Sequence, residues 1–336
     1  MKIRTLGKNG PAVSAIGLGC MGLSEFYAAT ENTNKDNAIE LIQDAYKNGI
    51  TFFDTADMYA LGENEKLLGQ AIAQFREHVI VATKCGIERD EYKAVINNSP
   101  AYIKKACAAS LQRLNIKTID VYFLHRHDPQ VPIEDIMYTM LELVDEQKIK
   151  YIGLSEVGPE TIERAHRIAG DKLVAIQSEF SMINYETAQL VLPTCKKLGL
   201  AFIAYSPLAR GLLSGKMRSS LIFRESKAFD YRSTLPQFTE ENLQANIRFL
   251  KKIEEFAQVK NCSTAQLALA WLLAQGDYVI PIPGVTSKEY LLENIKATDI
   301  TLSQDDLNTL KQILLENPIK GARYPEDESF ITWDKK

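Results

Sequence analysis

No stretch of this chain stays apolar for the roughly 20 residues that a membrane-spanning helix needs. The longest apolar run, Leu267 to Ala274, has the length of a buried helix. The opening Met1-Lys2-Ile3-Arg4-Thr5 lacks the apolar core of a signal peptide. Cysteine is sparse: Cys20, Cys85, Cys107, Cys195 and Cys262 are scattered, odd in number and without a Cys-x-x-Cys pair. That is the usage of free thiols in a reducing compartment, so a cytoplasmic location is expected. Positive charge is not in excess. The formal net charge is −4, which leaves no footprint for nucleic acid. Low-complexity segments and domain linkers are missing as well. The length allows one large α/β barrel or two average domains, and with no linker a single unit over residues 1–336 is expected.

What is present is an alternation of strand and helix signals. Ile3 to Leu6 and Ala12 to Ala15 flank Gly7-Lys8-Asn9-Gly10-Pro11, whose Asn-Gly predicts a tight turn and an N-terminal β-hairpin. Short apolar runs then end at Cys20, Asp54, Lys84, His125, Ser155, Ser178, Ser206 and Ile282. Helical periodicity separates them, for example over Asn34 to Asn48, with Ile39, Ile42, Ala45 and Tyr46 on one face and Gly49 as the stop. Ser99-Pro100 and Gly158-Pro159 open further helices. Eight strands with intervening helices predict an α/β fold of the (β/α)8 TIM-barrel type, with the hairpin added and extended loops at the C-terminal face. The segment from Pro207 to about Thr239 is too long for a routine connection and has the character of a functional loop. The polar, aromatic tail from Asn317 to Lys336 is expected to fold back over the mouth.

Three runs deliver titratable groups to that face: Asp54, Lys84 and His125, with Tyr59 five residues beyond Asp54. In barrels of this kind the C-terminal end of the strands carries the chemistry. A free tyrosine is a sluggish acid at neutral pH, with a pKa of about 10. A lysine ammonium beside it favours the phenolate and is expected to lower that pKa. An aspartate keeps the buried lysine charged, and a histidine orients a carbonyl and helps to stabilise an oxyanion. Each residue alone also has an ordinary reading. Asp54 is a turn cap, Lys84 a solvated strand end, Tyr59 a packing residue and His125 a surface group. Together at one mouth they fit protonation of a carbonyl oxygen.

Two patterns compete. Gly17-Leu18-Gly19-Cys20-Met21-Gly22 fits the glycine spacing of dinucleotide-binding units, but the stretch from Leu23 to Asn32 shows no helical pattern where such a unit needs a helix. His125-Arg126-His127 has the spacing of a metal-hydrolase strand. The remaining histidines, His78 and His166, are not at strand ends, so no metal is expected.

In Asp54-Thr55-Ala56-Asp57-Met58-Tyr59, Gly62-Glu63-Asn64-Glu65, Thr83-Lys84, Phe123-Leu124-His125-Arg126, Tyr151-Ile152-Gly153-Leu154-Ser155-Glu156, Ala204-Tyr205-Ser206-Pro207-Leu208 and Ile282-Pro283-Gly284, the chain resembles the aldo-keto reductases over essentially its whole length. Pro132-Ile133-Glu134-Asp135 and Arg323-Tyr324-Pro325-Glu326 resemble the microbial and plant branch that reduces aldehydes such as pyridoxal. The resemblance implies an NADPH-dependent reduction of an aldehyde or ketone, with Asp54, Tyr59, Lys84 and His125 as the catalytic set and Tyr59 as the acid. It implies that Tyr205 stacks on the nicotinamide and that Ser155 and Gln177 hold its carboxamide. Ser206, Pro207, Leu208 and Gly211 then face the pyrophosphate, with backbone contacts at Cys20 and Met21. Gly284, Lys288, Glu293 and Asn294 lie where the family binds the adenosine phosphate and adenine. Two departures stand out. Glu156 occupies a position where Asn is frequent in the family. Only Lys288 is basic in Val285 to Tyr290, so the NADPH preference is expected to be weaker than typical, with NADH also usable.

The substrate is expected to be a small carbonyl compound, met by Phe26, Tyr27, Met58, Arg126 and His127, with Tyr92, Phe229, Tyr231 and Trp333 further out. Arg126 and His127 suit a polar or anionic tail. The alternative functions are a nucleotide-sensing regulatory protein, like the potassium-channel β-subunits that resemble this family, and a metal-dependent hydrolase. The channel subunits carry an extra segment before the barrel, whereas this chain starts at the hairpin.

Overall fold

The computed structural model describes residues 1–24, 34–90, 93–217, 219–220 and 230–326. Phe26, Tyr27, Tyr92, Phe229 and Trp333 lie outside them. The hairpin comes first, as β1 (Ile3–Thr5) and β2 (Ala12–Ser14), antiparallel with Ile3 opposite Ser14. Eight parallel strands follow: β3 (Leu18–Gly19), β4 (Phe52–Asp54), β5 (Ile80–Cys85), β8 (Ile119–Leu124), β9 (Ile149–Ser155), β10 (Leu173–Glu179), β11 (Ala201–Tyr205) and β12 (Val279–Pro281). They pair in that order. The ring closes between first and last, where Gly17 N donates to Pro281 O at 3.0 Å and Gly19 N to Pro283 O at 3.3 Å.

Between β5 and β8 stands a second antiparallel hairpin, β6 (Ile87–Arg89) with β7 (Ala94–Ile96). The alternation of strands and helices did not reveal it, because arms this short carry too little periodicity. Helix ends follow local chemistry. The Asn34 side chain accepts from Asn37 N at the start of helix Lys35–Lys47. Ser99 caps Pro100–Leu114, and Ser263 with Gln266 forms a capping box at Thr264–Leu273. In the long segment after β11 the described parts are three short helical turns, Ala209–Ser214, Tyr231–Thr234 and Pro236–Phe238.

Two apolar layers result. The larger lies between the strands and the surrounding helices. The smaller fills the barrel and includes Phe52, Ala82, Phe123, Ala175, Ile203 and Ile280. Leu6 and Val13 of the N-terminal hairpin belong to this interior layer and stop the bottom of the barrel. Strand residues alternate between the layers with period two, as the pleat requires. Where Phe123 crosses the interior, β9 has Gly153. A Cβ there would lie 2.2 Å from the Phe123 ring. Gly153→Ala therefore overpacks the barrel and is expected to cost about 1–3 kcal/mol in urea unfolding. Adding Phe123→Leu should recover part of that loss, and strictly additive effects would contradict this contact.

Candidate active site

The alternation that fills the barrel also builds its mouth. Two residues beyond Phe52, Ala82, Phe123, Gly153, Ala175 and Ile203 come Asp54, Lys84, His125, Ser155, Gln177 and Tyr205. Each is the next position on the interior face of its strand. Polar groups from six strands thus share one end of the barrel.

Lys84 has no exposed surface. Its Nζ donates to Asp54 Oδ1 at 2.5 Å, to Thr55 O at 2.7 Å and to the Tyr59 hydroxyl at 3.4 Å. Asp54 Oδ2 accepts from Gln177 Nε2 at 2.8 Å. Burial is the largest single effect and favours a neutral amine, but Asp54 and Tyr59 together outweigh it and hold the lysine charged above its ordinary range. Burial also dominates at Tyr59 and pushes the phenol up, although Lys84 pulls it down. This corrects the expected net lowering. Asp54 binds the same ammonium and cancels much of its field at the phenol. Burial, then Arg126 and Lys84, hold the His125 imidazole well below its usual range, so it is neutral. Its ring meets Tyr59 edge-on, with centroids 5.9 Å apart. Tyr59 itself sits at the head of a turn in which Ala60 and Leu61 take left-handed φ values of 47° and 53°. Such local strain is common beside functional groups.

Helix Glu63–Ile72 supports the set from behind, through two residues to which the sequence reading assigned no role. Asn64 accepts from Thr55 Oγ1 at 2.6 Å and donates to Cys20 O at 2.8 Å. Glu65 takes Thr83 Oγ1 at 2.5 Å and Arg113 Nε at 2.6 Å. Both stand in the quoted Gly62-Glu63-Asn64-Glu65, and a buried polar pair in a helix that also buries Leu67 and Leu68 was the signal available. Asp57, in the same turn, has a buried Oδ1 with no hydrogen-bond partner. Burial and the nearby Glu65 raise its carboxyl to about 8.

The other side of the mouth is closed by the segment around Tyr324. Glu156 and Glu179 have no more than 3% of their surface exposed. Arg210 pairs with Glu179 at 3.0 Å, and Arg323 reaches Glu156 at 3.2 Å. Burial would raise Glu179, but Arg210 and Arg323 hold it low and ionised. The Tyr324 hydroxyl lies 3.2 Å from that of Tyr205, and the ring has Arg210 and Arg323 guanidinium groups at 5.1 and 5.6 Å. The described part of the tail does fold over the mouth. Glu156, in the position where Asn is frequent, is occupied by Arg323 and by Glu179 N at 2.9 Å.

The remaining candidates are spread around this centre. Cys20 is buried, and its N donates to Asp54 O at 2.8 Å. Met21 begins a single helical turn, Met21–Leu23, and no dinucleotide-type helix starts in the glycine run. Ser206, Ala209, Arg210 and Gly211 all have positive φ around Pro207–Leu208, and the loop is closed on itself by Ala209 N donating to Ser206 O at 2.8 Å and Gly211 N to Leu208 O at 3.0 Å. Gly284 packs so close to the first loop that its Cβ would lie 3.3 Å from Gly19 O. Asn294 is buried with Nδ2 unpartnered, and Glu293 O accepts from Gln266. Lys288 is exposed and paired with Asp44 at 2.8 Å. The two lie on a cavity of about 220 Å³ with Leu23, Asn37, Leu41 and Ser287. Arg89 donates to Met58 O, and His127 Nε2 lies 2.9 Å from Val131 O. Among the described residues, no three His, Cys, Asp or Glu side chains group as metal ligands.

Residues 15–315 match the model of the Aldo/keto reductase family. This chain belongs to the aldo/keto reductase family. Among its relatives, "Probable aldo-keto reductase 1" of Glycine max is 39% identical over 330 residues, covering 98% of this chain and 93% of that protein. Among solved structures, the glycerol dehydrogenase of Gluconobacter oxydans superposes with a TM-score of 0.81 at 28% identity, covering 95% of this chain and 98% of that one. An aldo/keto reductase of Klebsiella pneumoniae, solved with NADP and acetate, gives 0.72 at 26% identity, covering 97% and 99%. The (β/α)8 barrel expected from the sequence is the fold of this family, and the protein is an oxidoreductase.

The buried Asp57 gives this reductase a testable pH dependence. In the folded protein its carboxyl is pushed up from the usual carboxylate range to about 8. The stability it contributes is therefore present below about pH 4 and is lost as pH rises towards 8. Asp57→Asn, which mimics the protonated side chain, should raise Tm at pH 8 and change it little at pH 4. An equal effect at both pH values would show that Asp57 does not titrate in this range.

Proposed function

We propose that this aldo/keto reductase converts an aldehyde or ketone to the alcohol, using NADPH in preference to NADH. The observation that carries the reading is Lys84 bridging Asp54 and the Tyr59 hydroxyl beside a neutral His125. The barrel also has features that fit a nicotinamide dinucleotide: Tyr205 and Ser155 at strand ends, the positive-φ loop after β11, and the unpartnered amide of Asn294. The bound cofactor supplies a hydride to the carbonyl carbon.

Tyr59 donates its phenolic proton to the carbonyl oxygen as that oxygen gains charge. A raised pKa keeps this proton in place at neutral pH, so the acid is loaded when the substrate arrives. Lys84 then stabilises the phenolate that the transfer leaves behind, with Asp54 fixing its position. His125 and Tyr59 together stabilise the developing oxyanion. Met58, Arg126 and His127 line the substrate side, with Phe26 and Tyr27 assigned there from the sequence alone. Lys288 is the basic residue for the 2′-phosphate, and its ion pair with Asp44 must be shared or broken for that contact. The discrimination against NADH is accordingly modest. The branch resemblance favours pyridoxal-type aldehydes.

The test follows nicotinamide oxidation with a panel of aromatic aldehydes including pyridoxal, using NADPH and NADH in parallel, for wild type and Tyr59→Phe. Turnover should fall by roughly 100-fold or more in the variant, with cofactor affinity nearly unchanged. Undiminished turnover would remove Tyr59 from the acid role. Cofactor binding without turnover of any aldehyde would favour the regulatory, nucleotide-sensing alternative.

A further inference from the structure

Four cations stand buried or nearly buried at the mouth of the barrel: Lys84, Arg126, Arg210 and Arg323. Three have a carboxylate at ion-pair distance. Lys84 has Asp54 at 2.5 Å, Arg210 has Glu179 at 3.0 Å, and Arg323 has Glu156 at 3.2 Å. These three carboxylates serve three cations, and among the described residues none is left for Arg126. Only 8% of Arg126 is exposed. Its hydrogen bonds go to neutral acceptors, from Nη1 to His125 O at 2.6 Å and to Ser155 Oγ at 3.2 Å. Among the described residues, Nε is buried without a partner and no hydrogen bond leaves Nη2. Glu156 acts on Arg126 through space, but its oxygens already accept from Arg323 and from Glu179 N.

A guanidinium withdrawn from water normally takes a counter-ion, because an unpaired buried charge is expensive. Arg126 follows His125 directly in the chain, and its charge acts on both Tyr59 and Tyr205. The guanidinium, held charged through space by Tyr205 and Glu156 but without a carboxylate at ion-pair distance among the described residues, thus lies beside the place where the carbonyl compound must lie. We infer that the substrate carries an oxyanion, a carboxylate or a phosphate, that completes the ion pair with Arg126 while its carbonyl lies against Tyr59 and His125. This rests on the reductase reading above and narrows it to anionic carbonyl compounds. It also gives Ser155 a second task, since its hydroxyl holds Nη1 and leaves Nη2 for the ligand.

Two substrate pairs test it. 4-Carboxybenzaldehyde is compared with 4-carbamoylbenzaldehyde, and glyceraldehyde 3-phosphate with glyceraldehyde, for wild type, Arg126→Gln and Arg126→Lys. Wild type should favour the charged member of at least one pair by roughly 10- to 100-fold in kcat/KM, the range expected of a charged hydrogen bond. The favoured pair identifies the oxyanion. Arg126→Gln should reduce the preference to about twofold or less, and Arg126→Lys should retain part of it. If the Gln variant does not fold, a preference in wild type that weakens in Arg126→Lys carries the same conclusion. Equal rates within both pairs, or a preference that survives Arg126→Gln undiminished, overturns the inference.

Calorimetric titration with benzoate and with inorganic phosphate needs no turnover. Binding by wild type that Arg126→Gln abolishes, with no aldehyde reduced, would keep the oxyanion site and discard the reductase reading. Neither binding nor turnover would discard both.

Discussion

A lysine with no exposed surface needs an anion beside it, and much of this barrel's mouth is arranged by that need. Lys84 lies next to the end of β5, Asp54 ends β4, and Gln177 on β10 binds the second oxygen of the same carboxylate. Three strand ends are thereby tied to one buried ion pair. Removing one partner of such a pair typically costs about 3–5 kcal/mol, because the other is left as an unpaired charge. The third hydrogen bond from Lys84 points at Tyr59 and makes the arrangement chemically directed. Helix Glu63–Ile72 then fixes the flanking Thr55 and Thr83 through Asn64 and Glu65. Tyr59, the proposed proton donor, is thus held beside a scaffold whose Thr55, Asn64, Glu65 and Thr83 side chains are hydrogen-bonded to one another or to neighbours.

Much of this was legible in the sequence. Short apolar runs that stop at titratable groups put Asp54, Lys84 and His125 at strand ends, and the barrel brings those ends together. Tyr59 joins them through a turn with two left-handed residues, a geometry that Ala60 and Leu61 do not advertise. The β6–β7 hairpin was not legible because its arms are three residues each. The sign of the shift at Tyr59 was misjudged for a different reason. Pairwise reasoning counted the attraction of Lys84 but not the burial of the phenol, which is the larger effect. The clasp of Glu156, Glu179, Arg210 and Arg323 joins residues up to 167 positions apart, beyond the reach of local patterns.

Electrostatically the mouth has two halves. On one, Asp54, Lys84, Tyr59 and neutral His125 form a balanced set suited to moving a proton. On the other, Glu156 and Glu179 neutralise Arg210 and Arg323 and hold Tyr324 against Tyr205. Arg126 lies between them, and its charge is left over from this pairing. Among the described residues no carboxylate lies at ion-pair distance from Arg126, and on the inference above its partner is the substrate's oxyanion.

The ionisation of Lys84 tests the central claim most directly. Nitrogen NMR of lysine-labelled protein, titrated upward from neutral pH, reads whether its side chain is ammonium or amine. An ammonium that persists above the ordinary lysine range, with a lower midpoint in Asp54→Asn, is the expected result. A Lys84 already neutral at pH 7, or one indifferent to loss of the Asp54 charge, would contradict it.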